Sequence, residues 1–132
     1  MNVGKLGVWY FFDGLPAPMA AEAAKRIESL GYGTLWIPET VGRHPLVHAS
    51  WLLANTSTLN LATGIANIYH REPGVTLAAH NSLNEQSGGR FLLGLGVPLL
   101  IAELALGAAG RSDPVTAFDQ AASRSRRFEA WP

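Results

Sequence analysis

Cysteine is absent from the 132-residue chain. That excludes disulfides and thiolate-based metal centres. An excess of either charge is missing too. Ten basic residues balance ten acidic ones, so there is no electrostatic footprint for nucleic acid or an anionic membrane. Lysine occurs only at Lys5 and Lys25; the arginine preference reads as a compositional bias rather than a function. The histidines His44, His48, His70 and His80 form no compact ligand motif, and no metal site is expected. Long apolar runs are lacking: the stretch around Pro98–Ala102 meets Glu103, well short of the ~20 residues that span a bilayer. The N-terminus has no basic region followed by an apolar core and a small-residue cleavage site. The expectation is a soluble cytoplasmic protein without nucleic-acid or membrane partners.

What is present is apolar material, 48% of the chain, in alternating strand-like and helix-like segments. Leu6–Phe12 is rich in β-formers and is broken by Asp13-Gly14 and Pro16. Pro18 suits the first turn of a helix. Met19, Ala23, Ile27 and Leu30 recur on one face of that helix, and Gly31 stops it. Thr34–Pro38 reads as the second strand, with Glu39-Thr40 at its C-terminal end. Pro45 opens a second helix with Leu46, Ala49, Ser50 and Leu53 on one face. Asn60–Ile68 is the third strand. Pro73-Gly74 begins a third helix with Val75, Ala79 and Leu83 as its stripe. Gly88-Gly89 ends it, and Phe91–Val97 is the fourth strand.

The order βαβαβαβ predicts parallel strands joined by right-handed helical crossovers. Strands that are apolar on both faces fit a parallel sheet covered by helices. From Pro98 the pattern changes. Pro98–Ala109 reads as helical, Gly110-Arg111-Ser112 as a break, and a last helix is expected with Pro114 in its first turn. Residues 1–97 are thus expected to form one unit and residues 98–132 a divergent helical tail.

Several motifs occur together in one order: Gly7-Val8-Trp9, Glu22-Ala23-Ala24 through Leu30-Gly31-Tyr32, Leu35-Trp36-Ile37-Pro38-Glu39, Thr63-Gly64-Ile65, and Gly88-Gly89-Arg90-Phe91-Leu92-Leu93-Gly94-Leu95-Gly96. In this spacing the chain, from about Leu6 to Val97, resembles the N-terminal half of the luciferase-like monooxygenases, and within them the F-420-dependent oxidoreductases. The resemblance implies α/β architecture, a (β/α)8 barrel of which about four strands are present, whereas such barrels typically need about 250 residues. It implies coenzyme F-420, or alternatively FMN, as cofactor, and hydride transfer or monooxygenation of a small organic substrate. By eye the resemblance stops at Pro98-Leu99-Leu100, where proline removes a backbone donor. A truncated form is therefore expected, with F-420 bound weakly or not at all. The alternative is an inactive half-barrel remnant that acts only as an interaction module. Unpaired sheet edges favour association, so a homo-oligomer is expected.

The resemblance also implies site residues. Gly64-Ile65 would form a bulge, often with a non-proline cis peptide, that supports the cofactor ring; the bland alternative is a buried strand with a glycine making room. Asn67 could hydrogen-bond the ring through its amide or simply cap the strand end. Glu39 lies where barrel sites form. It could orient substrate or move a proton if burial raised its pKa, or be a structural carboxylate. Arg71 could meet a phosphate or pair with Glu72, and a solvated surface pairing is the expectation. Trp9, Phe11, Phe12 and Trp36 could wall an apolar pocket or pack in the core.

Overall fold

The structure, a computed structural model, describes residues 1–97. The tail read for residues 98–132 lies outside the described residues. The elements run β1 (Gly7–Trp9), α1 (Ala17–Ser29), β2 (Thr34–Ile37), α2 (Pro45–Ala54), β3 (Asn60–Thr63), β4 (Ala66–Asn67), α3 (Pro73–Ser87), β5 (Phe91–Leu92) and β6 (Leu95–Gly96). A four-stranded sheet has the order β1-β2-β3-β5 with every pairing parallel. This is the α/β alternation expected from the pattern. The third and fourth strands are each interrupted, however. They resume as β4 and β6, which pair in parallel as a separate two-stranded ladder.

The register Val8↔Leu35↔Leu61↔Phe91 aligns one row of side chains. That row, with Ile37, faces the helices and packs with Ala24, Ala49, Leu52, Leu53 and Leu83. Each fully buried Leu or Phe stabilises the fold by about 1.5–3 kcal/mol. Side chains alternate across a strand, so the next row, Trp9↔Trp36↔Ala62↔Leu92, points to the opposite face. Trp9 is 59% exposed there. The expectation of strands buried on both faces holds for β3 and fails for β1.

Two helix stripes also differ from the periodicity. In α1 the buried residues are Ala20, Ala21 and Ala24, whereas Met19 and Leu30 are exposed. In α3 they are Thr76 and Leu83, and Val75 is exposed. Small residues allow close helix–sheet approach, and bulk alone misplaced the stripe. Helix ends follow the local signals. Pro lies in the first turn of each helix. Gly88 ends α3 in the left-handed conformation, with φ 67°, which glycine adopts without strain. His44 caps α2, its Nδ1 accepting from the Val47 N–H, so it is an N-cap rather than a group aimed into a site.

The strand interruption has a physical cause. Gly94 N–H donates to Thr63 Oγ1, and Thr63 Oγ1–H donates to Gly94 O. A Cβ on Gly94 would overlap the Thr63 carbonyl oxygen, so only glycine fits this crossing.

Candidate functional site at the strand ends

The C-terminal ends of the parallel strands carry an ordered polar cluster beside the open sheet face. Its floor is the Gly64–Ile65 segment between β3 and β4, and the bond joining these residues is a cis peptide. The segment is held on several sides. Gly64 N–H donates to Ile37 O, and Glu39 N–H donates to Ile65 O. The Trp9 indole Nε1–H donates to Gly64 O at 2.8 Å. A Cβ on Gly64 would stand 3.4 Å from ring atoms of both Trp9 and Trp36. The missing side chain therefore leaves the bulge directly against two indoles.

Glu39 follows β2, and Arg71 follows the turn after β4. Arg71 grips the Glu39 carboxylate with two nitrogens, Nη1 to Oε2 at 2.9 Å and Nη2 to Oε1 at 2.6 Å. The two side chains are only 8% and 7% exposed. This corrects the reading of Arg71: it makes a buried fork with Glu39, not a solvated pair with Glu72. The Asn67 N–H donates to Oε2 at 2.6 Å, and His70 Nδ1 lies 2.9 Å from Oε1. Burial alone would push the Glu39 pKa up. The Arg71, His70 and Asn67 hydrogen bonds and the Arg71 charge overcome that and lower it to about 2. Proton transfer by a carboxyl of raised pKa is not what this geometry provides; near neutral pH Glu39 is an anion with its lone pairs engaged.

Asn67 is buried, 1% exposed, and both ends of its amide are used within the loop. Oδ1 accepts the Tyr69 N–H at 3.0 Å, and Nδ2 lies 2.9 Å from His70 Nε2. The amide thus braces the loop, while the exposed parts of the site are aromatic. Trp9 and Tyr69 are exposed, and Trp36 is half-buried; Tyr10 and Phe11, past the end of β1, are exposed as well. Phe12 is core, 3% exposed, and lies edge-on to Tyr10 and to His48. Residue-by-residue reading of the sequence missed the Trp9–Gly64 bond, the Glu39–Arg71 fork and the bridging role of His70. The fork and the His70 bridge had one available signal, adjacency: β2 and β3 are neighbours, so the residues just past their ends meet. The Trp9 bond reaches from β1 across β2 and had no such signal.

This arrangement, parallel strands with a braced bulge and a polar rim at their C-terminal ends, is that of an α/β-barrel enzyme class. The sequence profile of the luciferase-like monooxygenase family matches residues 9–122, and the chain belongs to that family. The match runs past Val97, so the family likeness extends beyond the Pro98 boundary expected from the motifs. The 5,10-methylenetetrahydromethanopterin reductase of Methanolobus tindarius is 37% identical over 65% of this chain and 27% of its own length. A putative coenzyme F420-dependent oxidoreductase of Mycobacterium tuberculosis is 31% identical over 74% of this chain and 27% of its own. The chain thus spans about a quarter of the length of these relatives. Among solved structures, the coenzyme F420-dependent tetrahydromethanopterin reductase of Methanopyrus kandleri has a TM-score of 0.65 at 25% identity, covering 76% of this chain and 30% of that one. The oxygenating constituent of 3,6-diketocamphane monooxygenase from Pseudomonas putida, solved with FMN, has a TM-score of 0.60 at 17% identity over 70% of this chain and 30% of that chain; this likeness concerns the fold.

Proposed function

We propose that the chain carries the ring-contacting part of a deazaflavin site and serves an F-420-dependent oxidoreductase acting on a small organic substrate. The observation that carries this reading is the Gly64–Ile65 bulge. It lacks a side chain at Gly64, lies in contact range of the Trp9 and Trp36 indoles, and borders an exposed apolar face. A flat tricyclic ring fits such a surface: it stacks on apolar and aromatic atoms, and close backbone approach needs glycine. Trp9, Trp36, Gly64 and Ile65 would hold the ring. Bound there, the deazaflavin supplies the hydride chemistry, and the protein supplies orientation and exclusion of water.

Glu39 has a different part in this reading. Its carboxylate is consumed by Arg71, His70 and the Asn67 N–H, so it positions the rim and does not exchange protons. The relatives named for F-420 support the deazaflavin over FMN.

The test is an NMR titration of the chain with F-420, with FMN in parallel. Trp9 and Trp36 indole N–H signals and the Gly64 and Ile65 amides should shift together on F-420 addition. Weak affinity suffices, since a Kd of 1 mM corresponds to about −4.1 kcal/mol. No shifts at ~1 mM F-420 would remove the proposal. Tighter binding of FMN would transfer it to flavin.

A further inference from the structure

His70 is the member of the Glu39 network that reaches solvent, its side chain 55% exposed against 7% for Glu39. Its ring bridges two elements. Nδ1 faces Glu39 Oε1, at the end of β2, and Nε2 faces Asn67 Nδ2, at the end of β4. The donor and acceptor roles follow from the partners. A carboxylate only accepts, so Nδ1 carries the hydrogen. The Asn67 amide is oriented by its Oδ1, which accepts the Tyr69 N–H. Its Nδ2 must therefore donate, and Nε2 must accept. This arrangement accommodates only the neutral imidazole with its hydrogen on Nδ1.

We propose that the His70–Asn67 contact is a proton-operated latch on the rim loop that carries Ile68 and Tyr69. When Nε2 takes up a proton, two donors face each other at a spacing of 2.9 Å. Glu39 holds the imidazolium in place, because a second positive donor on the ring strengthens the Nδ1–H to carboxylate bond. The Asn67 amide must then turn. Its Oδ1 leaves the Tyr69 N–H to meet Nε2–H, and Nδ2 now opposes the Tyr69 donor. The Tyr69 N–H is set free, and the side-chain clasp of Asn67 on Tyr69 is lost, while the His70 N–H and Ile68 N–H backbone bonds keep the turn in place. The charged groups that meet the ring are Glu39 and, through that carboxylate, Arg71. Asn67 is the uncharged third partner. Among the described residues, no hydrogen bond or ion pair joins the ring to α3. The device belongs to the chain itself and requires no bound cofactor.

The experiment is an NMR pH series on the chain from pH 8 to pH 5, reading the Tyr69 amide, the Asn67 side-chain NH2 and the His70 ring signals. The expected result is a common midpoint for all three, with Tyr69 amide exchange, corrected for its intrinsic pH trend, faster by about fivefold at low pH. In Asn67→Asp the carboxylate accepts from both Nε2–H and the Tyr69 N–H, so the Tyr69 response should vanish while His70 still titrates. In His70→Phe both the Tyr69 and the Asn67 responses should vanish. A Tyr69 amide that stays unchanged while the His70 ring titrates in the parent chain overturns the latch. So does a pH response that survives in His70→Phe.

Discussion

Two arginines at opposite ends of the sheet show how one residue type serves two purposes. Arg90 precedes β5, at the N-terminal end of the strands, and among the described residues it pairs with no carboxylate. Its guanidinium donates to the carbonyls of Leu53, Thr56, Leu59 and Ser87 and to Thr56 Oγ1. It gathers the end of α2, the loop into β3 and the end of α3, where unsatisfied carbonyls would otherwise be left. Arg71 lies at the C-terminal end and spends its fork on Glu39, beside the open aromatic face. The first arginine satisfies backbone and stabilises. The second neutralises a buried anion that positions the rim loop. The two ends of the sheet thus differ: one satisfies backbone carbonyls, the other holds the rim loop.

The strongest way to break the comparison is Arg90→Leu. It strands several carbonyls at once, and unfolding by urea should show a loss of roughly 3–5 kcal/mol. Signals of Trp9 and His70 should stay in place in the folded fraction. If stability falls by less than about 1 kcal/mol, Arg90 is not the staple described. Next in size is Glu39→Gln. It leaves the Arg71 charge without its partner, but at the rim Arg71 can turn toward water, so about 2–3 kcal/mol is expected. Here the Asn67, Tyr69 and His70 signals should all move, unlike in Arg90→Leu. A smaller effect is expected for Gly64→Val, where a branched side chain meets the Trp9 and Trp36 rings. Overpacking there should cost about 1–3 kcal/mol, and the Trp9 indole N–H should lose its bond to Gly64 O. Melting at the parent temperature would mean that the bulge has room to spare.

The pH dependence of stability should show two windows. Burial, with the nearby Arg43 charge, lowers the His48 pKa from 6.5 to about 4, against an opposing pull from Asp13. The folded state therefore binds fewer protons than the unfolded one in that range, and stability rises with pH between about 4 and 6.5. Glu39, lowered from 4.5 to about 2, adds stability that is complete above 4.5 and is lost as pH falls toward 2. Urea midpoints measured against pH separate the two. His48→Phe should flatten the upper window and leave the lower one, and Glu39→Gln should shrink the lower one, to which the likewise lowered Glu28 carboxyl also contributes.

Much of the fold was written locally. Pro18, Pro45 and Pro73 mark helix starts, Gly88 supplies a left-handed stop, and the alternation of β-formers with helical segments predicts parallel pairing. The bulge at Gly64 and Ile65 is implied by the family resemblance, not by the local pattern, which fits a plain buried strand equally well. Other features depended on distance in space. The stripe of α1 falls on alanines because the helix lies close to the sheet, and a periodicity that favours bulk cannot sense that. The sequence alone leaves Glu39 open to being poised by burial; its charge state is decided by Arg71, which lies far along the chain and faces it because β2 and β3 are neighbours.

The sequence by itself determined the class of fold, the order of its elements and the family. Turn residues and apolar patterning act within a few residues, and motif spacing is read along the chain without any contact in space. The tertiary structure alone decided which polar groups meet. It set the charge state of Glu39, placed the Trp9 indole on the bulge and fixed the tautomer of His70. Hydrogen bonds and charges depend on separations of a few ångströms, and only the packed sheet brings the ends of β2 and β4 that close.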